Sequence, residues 1–406
     1  MNYQKLKEKY GTPLYIYNVD VMKENIIQYQ NNFKSNQFET EIIYASKAFN
    51  IKAMLRLLMR YGLSLDVVSL GELYTAKKVG FPMQKIYFHG NNKSEEELRY
   101  AISEEVGIIV VDNLMELKLL DELAKGLKKK INIYIRLNVG VEAHTHKYIV
   151  TAHVDSKFGV MYDGKEYREM LEVLQNSPYI KLQGFHSHIG SQIFDLAPYD
   201  AVIEKLVKMI KDFDRPLGIN LGGGFGVSYT DADHPIPFDV VSKHLIQTME
   251  AELKNQNVRL HKLSIEPGRS IVAEAGQTLY TIGGVKQTPN KLYYFIDGGM
   301  TDNIRPALYE ALYHADIVGK ENQFKNKIAT IAGKCCESGD VIIENILLPE
   351  AAKGDLLITY STGAYGYSMS SNYNKALTPA VVFVEEDKDE LVVRRQSLDE
   401  LLEREI

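Results

Sequence analysis

Between residues 40 and 266 the chain repeats one theme eight times, an apolar β-favouring run followed by a polar or glycine-rich cluster and, between most runs, an amphipathic stretch. The apolar runs are Ile42–Ser46, Leu63–Ser69, Lys85–His89, Gly107–Asp112, Ile131–Val139, Ile180–His188, Leu217–Leu221 and Lys262–Glu266. They read as buried strands, because both faces of each are apolar. The stretches between them include Ser94–Ser103, Asn113–Lys128, Lys165–Gln175, Tyr199–Phe213 and Asp239–Leu253. Their apolar residues recur at three- and four-residue spacing, the period of a helix with one buried face. Eight such units over roughly 250 residues match a (β/α)8 TIM-like barrel. A doubly wound sheet has the same alternation. The strand ends favour the barrel.

Those ends carry Lys47, Asp66 with Ser69, His89-Gly-Asn-Asn92, Asp112-Asn113, Arg136 with Asn138, His186-Ser-His-Ile-Gly-Ser191, Gly222-Gly-Gly224 and Glu266-Pro-Gly-Arg269. The opposite ends show little of this chemistry, so the pattern places a site at the C-terminal face of a barrel. Beyond Arg269 strand-like runs follow one another without long helices: Ser270–Ala275, Thr278–Thr288, Leu292–Asp297, Lys327–Ala332, Val341–Leu348, Asp355–Tyr360 and Val381–Val384. The last is expected to form a hairpin with Leu391–Arg394 across Glu386–Asp389. Ser397 is a suitable N-cap for a short terminal helix. The 406 residues therefore divide into an N-terminal segment (1–23) that joins the β domain, a barrel (24–268) and a mostly antiparallel C-terminal β domain (269–406).

Charge and cysteine content narrow the function. A formal net charge of -6 gives no electrostatic reason to expect nucleic acid or an anionic membrane as partner. No run reaches the length of a membrane span, and the charged first residues lack the apolar core of a signal peptide. The only cysteines, Cys335 and Cys336, are adjacent, which suits a reducing cytoplasm better than a disulfide framework or a metal site. Lys47 ends a strand where its ammonium is costly unless paired or neutralised, and a neutral amine there suits Schiff-base chemistry. In isolation such a lysine more often extends into water. Gly222, Gly223 and Gly224 make a tight turn or bring backbone N–H groups to a phosphate. Glu266 pairs with Arg269 or holds a ring nitrogen, and His188 is a core histidine or a ring-facing imidazole followed by the hydroxyl of Ser191. Taken together, a strand-end lysine, a glycine cradle and a buried carboxylate specify pyridoxal 5′-phosphate (PLP).

Tyr44-Ala-Ser-Lys47, Asp66-Val-Val-Ser-Leu-Gly-Glu72, His186-Ser-His-Ile-Gly-Ser-Gln192, Gly222-Gly-Gly-Phe-Gly226 and Glu266-Pro-Gly-Arg269 resemble the alanine-racemase-like, fold-type-III PLP decarboxylases. Asp297-Gly-Gly-Met300, Arg305-Pro-Ala-Leu-Tyr309, Cys336-Glu-Ser-Gly-Asp340 and Gly363-Ala-Tyr365 extend the resemblance nearly end to end. Glu266-Pro-Gly-Arg-Ser270 and Arg305–Tyr309 point to the branch acting on diaminopimelate. The resemblance implies that Lys47 carries the cofactor, that His188 stacks on its ring and that Glu266 keeps the ring nitrogen protonated. It implies that Ser191, Gly222 to Gly224 and Tyr365 bind the phosphate, and that Asp66 and Arg136 set the charge of Lys47. Arg269, Arg305, Tyr309, Glu337 and Tyr365 would hold the amino-acid substrate. Cys336, as proton donor, and Glu337 would enter from the second subunit of a homodimer with shared active sites, with a Lys157–Asp340 pair across the interface. No metal is expected. The implied reaction converts meso-2,6-diaminopimelate to L-lysine and CO2. The alternatives are a related decarboxylase acting on carboxynorspermidine or a basic amino acid, and a non-catalytic homologue that binds a partner protein. Gly140–Val154, with His144, His146 and His153, reads as a candidate lid.

Overall fold

The eight apolar runs form eight parallel strands, Glu39–Ala45, Ser64–Val67, Ile86–Phe88, Ile108–Val111, Ile131–Asn138, Ile180–His186, Leu217–Asn220 and Leu260–Ile265. Each pairs with the next, and Leu260–Ile265 returns to Glu39–Ala45, which closes the barrel and rules out the doubly wound alternative. This computed structural model describes residues 1–141 and 156–406. The expected lid, apart from its first two residues, lies outside them.

The barrel interior is filled by side chains in layers. Ile43, Tyr87, Val110 and Tyr134 pack together across it. Tyr134 needs the space that two glycines leave: a Cβ on Gly218 would stand 2.0 Å from its hydroxyl, and one on Gly184 2.8 Å from its ring. Toward the strands' N-terminal ends, Glu41 accepts hydrogen bonds from Ser64, Tyr87 and Lys262. Burial pushes its carboxyl up, but these donors outweigh burial and hold it below the ordinary value.

The helices start where their caps dictate. Ser94 forms a reciprocal capping box with Glu97, and Asn113 caps the helix Leu114–Leu127. Just before Ser94, Lys93 donates to the carbonyls of Gly90 and Val110 and to Glu116, all within 2.8 Å. Both side chains of this ion pair are almost wholly buried. Removing one partner of such a pair strands the other charge, so Glu116→Leu is expected to cost about 3–5 kcal/mol. A Lys93→Met/Glu116→Leu double variant is expected to recover most of that loss, both read as denaturation midpoints.

By contact the chain forms two compact units, Ile26–Gly226 with Pro235–Gly268, and Met1–Asn25 with Val227–His234 and Arg269–Ile406. The second is built on a sheet ordered Val341–Leu348, Lys327–Ala332, Leu292–Ile296, Gly276–Gln287, Leu14–Asn18, Ala380–Glu385 and Lys388–Val393. Leu356–Thr359 and Ala315–Ile317 branch from Gly276–Gln287. Pairing is mostly antiparallel; Leu14–Asn18 runs parallel to Ala380–Glu385, and Leu292–Ile296 parallel to Lys327–Ala332. Leu14, Ile16, Leu279, Ile358, Ala380 and Val382 build one core on a shared face.

One element differs from expectation. Ser270–Ala275 is not a strand; Arg269–Val272 makes a single helical turn, closed by the Ala273 N–H on the Arg269 carbonyl. Its β-branched residues favour a strand, but Ile271, Val272 and Ala273 are buried together, and packing overrides so weak a preference. The terminal helix Leu398–Leu402 forms with Ser397 as N-cap, and the hairpin turn shortens to Glu386-Asp387.

Candidate active site

The polar strand ends meet at one face of the barrel. Glu266 follows the last strand and lies in the interior, 6% exposed. Three side chains from three other strand ends reach its two oxygens. Asn220 Nδ2 donates to Oε1 at 2.7 Å, His186 Nε2 lies 3.1 Å from Oε2, and His89 Nε2 lies 2.9 Å from Oε1. Burial alone would raise the Glu266 pKa, but His89 and His186 outweigh it and hold the carboxyl well below the usual carboxylate range. The expected Glu266–Arg269 alternative is thus replaced by histidine and asparagine partners.

Beside Glu266 sits Asp66, which burial raises above its ordinary value although His89, Lys47 and Arg136 pull the other way. Its oxygen is 3.9 Å from His89. The Arg136 guanidinium, itself buried, lies 4.0 Å from Asp112 and over the Phe158 ring at 4.4 Å. Lys47 stands in a 3-10 turn, Ser46–Ala48, at the end of the first barrel strand. The residue is exposed between buried Ser46 and Ala48, while its charge acts on the buried Asp66 and on His188. Glu72, whose pKa burial raises to about 6, is a second carboxylate whose charge Lys47 affects.

The three glycines are needed sterically. Gly222 (φ 68°) and Gly224 (φ 105°) take left-handed backbone angles, and a Cβ on Gly223 would fall 2.2 Å from the Glu266 carbonyl. The turn is therefore tight and open-backboned at once. Gly223 donates its N–H to His188 Nδ1 at 3.2 Å. That bond places the His188 proton on Nε2, and burial drives its pKa well below the ordinary value, so the ring is neutral. Ser191 lies in the loop after His188, half-buried, and the Gly224 carbonyl accepts from Ile193.

The second unit gathers three of the expected substrate residues, Arg269, Arg305 and Tyr365, into an arginine–tyrosine cluster. Arg269 donates to the Tyr229 hydroxyl and lies over the Tyr365 ring at 4.8 Å. Arg305 donates to the Tyr313 hydroxyl and lies over the Tyr229 ring at 4.8 Å. Arg269 is 8% exposed and Arg305 6%. Arg305 has no carboxylate within ion-pair distance among the described residues. Tyr365 has a positive φ of 61°, and Tyr309 ends the short helix Arg305–Tyr309. Cys336 and Glu337 lie exposed on a turn, with the Cys336 N–H donating to Asn374. Asp340, buried below them, accepts from the N–H groups of Met300 and Cys335 and so fixes that turn from inside. Lys157 lies over Phe158.

Sequence reasoning gave no role to His89, His186, Asn220, Tyr229 or Tyr313. His89 and His186 stood in strand-end clusters, which was the available signal; Asn220 lay inside an apolar run, and the two tyrosines had none. His89, His186 and Glu266 also bring ligand-type atoms within 4.8 Å of one another, a composition the expectation of no metal had not weighed.

Residues 20–273 match the family described as "Pyridoxal-dependent decarboxylase, pyridoxal binding domain". A diaminopimelate decarboxylase of Bacillus subtilis (strain 168) is 47% identical over 404 residues, covering 98% of this chain and 92% of its own. The crystal structure of diaminopimelate decarboxylase from M. jannaschii in complex with L-lysine superposes with a TM-score of 0.93 at 34% identity, covering 100% of this chain and 94% of its own. That of the Helicobacter pylori enzyme with L-lysine gives 0.90 at 33% identity, covering 99% and 98%. Among the described residues no helix is long and apolar enough to cross a membrane.

Proposed function

The chain belongs to the pyridoxal-dependent decarboxylase family, and we propose that it removes one carboxylate from meso-2,6-diaminopimelate to give L-lysine and CO2. The observation that carries the choice of substrate is Arg305, a buried guanidinium among tyrosines with no carboxylate partner among the described residues. A buried cation is stable only when its charge is met, and a planar guanidinium takes a carboxylate through two parallel hydrogen bonds. Diaminopimelate brings a second carboxylate; ornithine or lysine would bring an ammonium, which this cluster repels.

The residues at the barrel face fit PLP. Glu266 is an ionised carboxylate suited to a protonated ring nitrogen, His188 offers a neutral ring, and the glycine turn excludes any Cβ where a phosphate approaches backbone. When bound, PLP supplies the electron sink for the carbanion left by loss of CO2. Lys47 would hold the cofactor, with Asp66 and Arg136 setting the local charge. Ser191, Gly222 to Gly224 and Tyr365 would hold its phosphate. Arg269, Arg305, Tyr309 and Glu337 would orient the substrate. Cys336, exposed on its turn, would deliver the final proton from the second subunit of a homodimer, with Glu337 beside it. Two free cysteines fit a reducing cytoplasm.

The test is CO2 release from meso-diaminopimelate, L-lysine, L-ornithine, L-arginine and carboxynorspermidine under one set of conditions. Turnover of diaminopimelate is expected to exceed the others by at least about 10²-fold, since a site built around a polar group of one substrate rejects analogues that lack it. Faster release from any of the others overturns the assignment.

A further inference from the structure

Glu266 is held from both sides by imidazoles, and this arrangement goes beyond what retaining a buried carboxylate requires. Asn220 already supplies one donor to Oε1. His186 and His89 add contacts at 3.1 and 2.9 Å, and their rings meet edge to face with centroids 4.7 Å apart. Both histidines are buried, at 1% and 4% exposure. Each comes from a different barrel strand, and the His89 loop is anchored by the buried Lys93–Glu116 pair.

The protonation of His186 is readable. His186 Nδ1 is buried and has no hydrogen-bond partner among the described residues, so a proton there would be an unsatisfied buried donor. Its one proton belongs on Nε2, facing Glu266. Burial brings the His186 pKa down to about 4, so the ring donates as a neutral group. A neutral donor stabilises a carboxylate without cancelling its charge; an imidazolium would consume the charge that a protonated ring nitrogen needs.

We propose that His186, donating to Oε2, and His89, packed against Oε1, are positioning residues that keep Glu266 ionised and oriented toward the cofactor's ring nitrogen. The proposal rests on the PLP assignment. It requires that removing either ring let Glu266 take up a proton, and that the ring nitrogen lose its own proton in consequence.

The experiment loads apoprotein with PLP labelled with 15N in the ring and records the nitrogen's chemical shift, beside the visible absorbance and the affinity for PLP. In the wild type the shift is expected to report a protonated ring nitrogen. In His186→Leu and His89→Leu it is expected to move toward the unprotonated value, with kcat lower by roughly 10- to 100-fold, the usual effect of removing such a supporting partner. His186→Gln, whose amide can still donate, is expected to restore most of the wild-type shift. An unchanged shift in both leucine variants overturns the proposal, as does His186→Gln behaving like His186→Leu in a folded protein. Metal analysis supplies a further arm. One tightly bound ion per chain, lost in His186→Leu, would make the cluster a metal site and overturn the proposal. Wild-type protein that binds no PLP would instead overturn the functional assignment, and its visible spectrum shows this first.

Discussion

Lys47→Ala protein is expected to lose the visible absorbance of bound cofactor and on the order of 10⁴-fold or more in kcat, as follows when a covalent catalytic group is removed. The loss should not arise from unfolding. Lys47 is exposed in its 3-10 turn, and its neighbours Ser46 and Ala48 provide the buried contacts there. Cys336→Ala is expected to differ in kind. It should keep the cofactor spectrum while kcat falls by about 10²–10⁴-fold, the range for a general acid. If the two residues serve one site from two subunits, mixing the variants creates hybrid dimers in which one site has both groups. With free exchange, symmetry predicts recovery of about a quarter of wild-type activity. No recovery under conditions where labelled subunits are shown to exchange would remove the shared-site reading.

Arg305→Leu is the second large effect. Truncating one member of a buried, hydrogen-bonded charge interaction costs about 2–5 kcal/mol, so kcat/KM for diaminopimelate should fall by roughly 10²–10³-fold, mainly through KM. PLP absorbance should be unchanged. Thermal stability should be unchanged or higher, because the wild type keeps a guanidinium buried at 6% exposure without a carboxylate partner among the described residues. A variant with wild-type KM would show that the substrate carboxylates are bound elsewhere.

The barrel was legible because each strand is apolar on both faces and each is punctuated by polar or glycine residues, a pattern local enough to read along the chain. The β unit was legible except where burial overrode propensity, as at Ile271 and Val272, which favour a strand and form a helical turn. Within the candidate site, Lys47, His188 and Glu266 were proposed from residue type and position. The partners of Glu266 were not. His89, His186 and Asn220 stand on three separate strands, and only closure of the barrel decides which strand ends point at a common carboxylate. The same holds for Tyr229 and Tyr313, which lie some 80 residues apart in segments without periodicity and meet edge to face at 5.3 Å between the two arginines.

The strand Leu14–Asn18 lies inside its sheet, between Gly276–Gln287 and Ala380–Glu385. Leu14 and its parallel partner Ala380 are separated by 366 residues. At roughly 5–20 residues per second, a ribosome needs about 20–70 s to deliver the second after the first. During that interval the barrel strands, whose pairings lie within residues 39–265, are all made, while the first strand made has neither neighbour until Gly276–Gln287 follows them. Its apolar residues Leu14, Ile16 and Tyr17 are then an open edge for chaperones or for misdirected pairing. The same sheet is therefore weakened by trimming the chain at either terminus, and a nascent chain stalled near residue 370 should present that strand as its most aggregation-prone segment.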